Sequence, residues 1–111
     1  MAGTFVLDRA SILERLGGDE EIYEMMVAMF LDDVDQNCAA LSAAFAAGDP
    51  KVVQREAHTI KGLLATFSDD EGASAALMIE SAAKSGELAS LAGAIGDIQS
   101  RLHEVAAALG G

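Results

Sequence analysis

The sequence predicts an all-α fold, an antiparallel up-down-up-down four-helix bundle preceded by a short additional N-terminal helix. Three observations predict it. Hydrophobic residues make up 51% of the 111 residues, many of them alanine, with a single proline, and alanine is the strongest helix former. Apolar residues recur at spacings of three and four, and no stretch alternates with the period of two that a strand needs. Capping and stop signals then cut the chain into segments whose short connections force antiparallel neighbours.

The leading helix runs from Asp8 to Leu16, capped by Asp8 and ended by Gly17-Gly18. Asp19 is the natural N-cap of the second helix, with Glu20 and Glu21 well placed against its dipole. Tyr23, Val27, Phe30, Val34, Cys38, Leu41 and Phe45 follow at spacings of 4, 3, 4, 4, 3 and 4. That is one helical stripe held for about six turns. Gly48-Asp49-Pro50 stops it, and Pro50 suits the first turn of the third helix, which runs to Phe67. Ser68, Asp69 and Asp70 make a turn and a cap, and a fourth helix continues to Ser85, closed by Gly86. The fifth is expected over Glu87 to Leu109, with a seam of Leu88, Leu91, Ile95, Ile98, Leu102, Val105 and Leu109. Met25, Met26, Met29 and Met78 read as core filler, although methionines near the start of the second helix are also suited to an interface. Cys38 reads as a small buried residue.

One domain, residues 1–111, accommodates all of this. So apolar a chain is not disordered, since it has the surface to offset the entropy of folding. No apolar run approaches the roughly 20 residues that span a bilayer. The N-terminus lacks the basic region and apolar stretch of a signal peptide. A lone cysteine, Cys38, permits no internal disulfide. A reducing, cytoplasmic setting is therefore expected. The formal charge of −11, from 18 acidic against seven basic residues, repels phosphate backbones and anionic lipid. It argues against nucleic acid and membrane as partners.

Chemistry concentrates on the third helix. On a helical wheel Lys51, Gln54, Arg55, Lys61, Gly62 and Ala65 fall within about 60° of His58, while Val52, Val53, Ile60, Leu63, Leu64 and Phe67 occupy the opposite side. Glu56 alone spoils that apolar side. Nearly half of the basic residues of an acidic chain thus surround one solvent-facing histidine. Imidazole is a good nucleophile near neutral pH because a useful fraction is unprotonated. Lys61, one turn on, is placed to pair with phosphate oxygens on the ring. Gly62 costs the helix about 1 kcal/mol relative to alanine, and its missing side chain lets another protein approach the histidine closely. His103, one position off the Leu102 seam, reads as a solvated or boundary histidine.

The run His58-Thr59-Ile60-Lys61-Gly62 resembles the His-x-Leu-Lys-Gly signature of histidine-containing phosphotransfer (HPt) domains. The likeness extends to Leu7-Asp8 with Leu13 to Glu21 (an opening helix and a Gly-Gly-Asp turn), to Met25–Asp33, and to Ala57. Leu77-Met78-Ile79-Glu80 matches the segment in which the family places a Glu or Gln beside the histidine. The resemblance covers nearly the whole chain. The sequence departs from it at Ser68, where a second glycine is usual, and at Gly72, where a leucine is common.

The resemblance implies the same bundle and a phosphorelay: Nε2 of His58 takes the phosphoryl group from one receiver aspartate and passes it to another. It implies that Glu80 accepts a hydrogen bond from Nδ1–H, that Lys61 screens the phosphoryl charge, and that Gln54, Arg55, Gly62, Ala65 and Lys84 shape the docking surface. The implied partners are receiver domains of response regulators or a hybrid sensor histidine kinase. The chain is expected to need no cofactor, Mg²⁺ being expected on the receiver, and a monomer is expected because both long apolar seams are used up inside one bundle. For Glu80 the plainer alternative is an exposed carboxylate paired with Lys84 at i+4.

Other classes fit less well. No phosphate-cradling loop is present, so ATP-dependent kinase activity is not expected. Metal-carboxylate bundles use Glu-x-x-His pairs, but Arg55 and Ser100 stand three residues before His58 and His103. A helical adaptor that binds receiver or kinase domains without phosphotransfer is the remaining alternative.

Overall fold

A computed structural model describes residues 4–110. Residues 1–3 and 111 lie outside it, and so do the ends of the predicted domain and the first residues of the N-terminal segment read above. The elements are α1 (Arg9–Arg15), α2 (Glu20–Ala46), α3 (Pro50–Thr66), α4 (Asp70–Lys84) and α5 (Ala92–Gly110), with no strand among the described residues. α2 packs against α3 and α5, and α4 against α3 and α5, closing the four long helices into a bundle; α1 lies on α2.

Each break has a local cause. Asp8 accepts from the Ser11 N–H, Asp19 from Glu21 and Ile22, and Asp49 from Val52, so three helices open on carboxylate caps that satisfy otherwise orphaned donors. α1 ends as Gly17 and Gly18 turn left-handed, with the Gly18 N–H 2.7 Å from the Leu13 carbonyl. α5 starts at Ala92, later than the expected Glu87. Gly86 is left-handed, and the Leu91 N–H then turns back onto the Leu88 carbonyl before the Ile95 N–H reaches Leu91. Leu91 is still buried and Leu88 half-buried. The seam was read correctly, but its first two members sit in a turn, where apolar spacing cannot register the change of backbone.

The core draws on every helix. Ile12, Phe30, Leu41, Ile60, Phe67 and Leu102 are among its fully buried side chains, and Phe30 meets Phe67 edge to face at 5.2 Å. Such a pair adds about 1 kcal/mol to simple burial. Cys38 is buried as expected, and burial, with Asp35 nearby, pushes its thiol pKa up. The methionine expectation needs correction: Met26 packs on the core, whereas Met25, Met29 and Met78 are exposed. Met25 and Met29 fall on the side of α2 opposite the Phe30 stripe, which hydrophobicity alone did not distinguish. Glu56 is partly buried, 3.7 Å from Arg55.

One polar contact holds the bundle's end. Asp69, the N-cap of α4, is also fully buried: its Oδ1 accepts from the Gly72 N–H at 3.0 Å. Arg101 of α5 grips both its oxygens, at 2.8 and 2.7 Å. The side chains are only 2% and 4% exposed. This pair explains Gly72, since a β-carbon there would overlap Asp69 Oδ2 and press within 3.0 Å of Leu64. Ser68, where the family likeness expects glycine, takes φ 60°, the left-handed geometry that glycine adopts freely. Its hydroxyl lies 3.2 Å from that of Ser11. Phe5 closes over the same end, its N–H 2.6 Å from Glu104 and its ring beneath the Arg101 guanidinium.

Candidate functional site

α3 and α4 run antiparallel about the Asp69 turn, and His58 and Glu80 stand equally far along the chain from it. The two side chains therefore meet. His58 Nδ1 lies 3.1 Å from Glu80 Oε2, and Lys61 Nζ 2.8 Å from Glu80 Oε1. The His58 side chain is 66% exposed and Glu80 only 17%. A half-buried carboxylate thus anchors an exposed ring. With the proton on Nδ1 donated to Glu80, the Nε2 lone pair is left for chemistry. The Lys61 ammonium, and then the His58 hydrogen bond, hold the Glu80 pKa below its ordinary value against the opposing effect of burial. Glu80 is therefore ionised at neutral pH and fit to support a positively charged or phosphorylated ring.

Lys84 does not join this group. It is exposed one turn beyond Glu80, whose partners among the described residues are Lys61 and His58. Lys61 is 29% exposed, and one of its three ammonium donors is engaged by Glu80.

Two open hollows flank the histidine. One, of about 460 Å³, is lined by Lys51, Gln54, Arg55, His58 and Glu80. The other, of about 360 Å³, runs between α3 and α4 over Lys61, Gly62, Ala65, Ala73 and Leu77. A β-carbon at Gly62 would meet nothing within 4 Å, so nothing inside the bundle requires glycine there. Sequence reasoning placed Lys51 on the histidine face but did not single it out, and it missed Ala73 and Leu77. Leu77 was findable, because it stands three residues before Glu80 and so shares its helix face. His103 is an exposed side chain bridging the Gln99 carbonyl and Asp35 on the far side of α2, as a boundary histidine would.

No helix among the described residues is long and apolar enough to cross a membrane. The chain matches the crystal structure of histidine-containing phosphotransfer protein B (HptB) from Pseudomonas aeruginosa PAO1. The TM-score is 0.83 at 23% identity, covering 94% of this chain and 90% of that one. At that identity the likeness shows the fold. Among curated proteins none matches significantly. The family model described as Hpt domain matches residues 25–108, which include α3, α4 and all but the end of α5. By that match, over most of its length, the chain belongs to the Hpt domain family.

Proposed function

We propose that this protein carries a phosphoryl group on His58 between receiver-domain aspartates of a two-component phosphorelay. The observation that supports this most directly is the exposed imidazole tied through Nδ1 to the half-buried, ionised Glu80. The Nε2 lone pair attacks the phosphorus of an aspartyl phosphate. The P–N bond forms as the P–O bond breaks, and the aspartate leaves as carboxylate; the return step is the same displacement reversed. Such transfers depend on positioning and charge neutralisation more than on covalent help, and the receiver supplies the Mg²⁺. Glu80 orients the ring and offsets the positive charge that develops on it, and Lys61 fixes Glu80.

Gln54 and Arg55, in the hollow beside the ring, and Gly62 and Ala65, in the one between α3 and α4, form the docking face, together with the exposed Lys84. Gly62 keeps that face low enough for a receiver's acidic pocket to reach Nε2. Ile22, Met25 and Met29 form an exposed apolar stripe on α2 suited to the same receiver. The apolar seams of α2 and α5 are consumed in the core, which suits a monomer.

The test is transfer from a panel of ³²P-labelled receivers in Mg²⁺ to the wild type and to His58→Gln. Acid-labile, alkali-stable label on the wild type alone is expected. Tight receiver binding by both proteins with no label on either would refute phosphotransfer and establish a binding adaptor instead.

A further inference from the structure

Lys61 is the obvious cation for a phosphoryl group on His58, yet its ammonium sits 2.8 Å from Glu80. The ring itself lines the other hollow, with Lys51, Gln54, Arg55 and the one carboxylate, Glu80, whose charge Lys61 offsets. Lys51, Gln54 and Arg55 stand seven, four and three residues before His58, spacings that stack them beneath it on one helix face. Lys51 has no ion-pair partner among the described residues. Arg55 is 71% exposed, and its one carboxylate, Glu56, is 3.7 Å from Nε, beyond hydrogen-bond reach. Both cations are therefore free to turn toward an anion. A guanidinium is the better of the two for a phosphoryl group, since its planar fork presents two parallel N–H donors to two oxygens. Gln54 adds an uncharged amide donor beside it.

We infer that the hollow formed by Lys51, Gln54 and Arg55 is the binding site for the phosphoryl dianion on His58, with Arg55 as its principal ligand and Lys61 remaining on Glu80. The inference rests on the phosphohistidine reading of the site and adds to it which side of the ring receives the charge. It divides the cations by task, Lys61 setting the ring through Glu80 and Arg55 with Lys51 holding the transferred group.

The test needs no receiver. Phosphoramidate, whose P–N bond breaks with loss of ammonia as Nε2 takes the phosphoryl group, is used to load the protein. The phosphoryl oxygen is then titrated by ³¹P NMR. A nearby cation favours the dianion and lowers its pKa. Arg55→Gln should therefore raise that pKa by about half a unit or more, and Lys51→Gln by a smaller amount. Lys61→Gln combined with Glu80→Gln removes a neutral pair and should move it by less than about 0.2 units. An unchanged value in Arg55→Gln overturns the inference, as does a larger shift in the Lys61/Glu80 double variant than in Arg55→Gln. Absence of a phosphohistidine resonance in the wild type overturns it too. Failure of every receiver to transfer, with these shifts observed, would refute the relay and leave the phosphoryl site standing.

Discussion

The buried Asp69–Arg101 pair gives a prediction whose size follows from its surroundings. Asp69→Asn keeps an oxygen to cap the Gly72 N–H but removes the charge that the guanidinium grips at 2.8 and 2.7 Å. Breaking one side of a buried pair typically costs 3–5 kcal/mol, because the other charge is left uncompensated. Here Glu104 and Glu71 stand 3.9 and 4.0 Å from Arg101 Nη1, so the cost should fall near about 3 kcal/mol. Arg101→Met strands the Asp69 carboxylate with backbone donors only, and should cost about 4–5 kcal/mol. At about 2.1 cal/mol/K of unfolding entropy per residue, each kcal/mol moves Tm by about 4 °C in a chain of this length. Asp69→Asn should thus melt about 12 °C below the wild type. The double variant should lose at least about 2 kcal/mol less than the two singles together, since no charge then remains buried. Urea unfolding followed by circular dichroism at 222 nm measures all four proteins. A loss below about 1 kcal/mol for Asp69→Asn, or strict additivity in the cycle, would refute the claim that the pair is a coupled buried unit.

Three further outcomes are expected. Gly62→Ala should raise stability by about 1 kcal/mol, since the site is helical and open, while slowing receiver transfer; urea midpoints and transfer rates report the two effects, and an unimpaired rate would remove the close-approach role. Ser68→Gly should stabilise by about 0.5–1 kcal/mol by relieving the left-handed backbone, and a lower Tm would show that its contact with Ser11 matters more. Glu80 has a folded pKa lowered below its ordinary 4.5 by Lys61 and His58. Its contribution to stability is therefore fully present above that ordinary value and is lost as pH falls toward the lowered one. The urea midpoint of Glu80→Gln should accordingly fall less than that of the wild type between about pH 5 and pH 3, and parallel acid limbs would contradict the pairing.

What the sequence determined by itself is what local rules govern. Four aspartates, three glycine turns and one proline bound the helices because caps and left-handed turns are decided within a few residues. The stripe on α2 and the apolar side of α3 followed from period alone, and so did the solvent side on which His58 lies with Arg55, Lys61 and Gly62. The motif and the segment around Glu80 together pointed to the histidine's partner on the next helix.

Tertiary structure decided whatever depends on residues brought together from distant parts of the chain. Arg101 lies on the apolar face of α5, but only the packed bundle shows Asp69 buried to meet it and Gly72 making room for both. In the sequence Asp69 was simply a cap, and Gly72 a departure from the family pattern. The exposure of Met78 was equally hidden, and that of Met25 and Met29 was one of two open readings, since a flexible thioether is tolerated on either side of a helix. Lys61 looked like a free cation because its neighbours along α3 are uncharged or basic. Its carboxylate arrives from α4, nineteen residues away. Local chemistry fixes where a helix starts and which side faces inward; which charges pair across helices is settled only when packing sets their distances and strips away the water that would otherwise screen them.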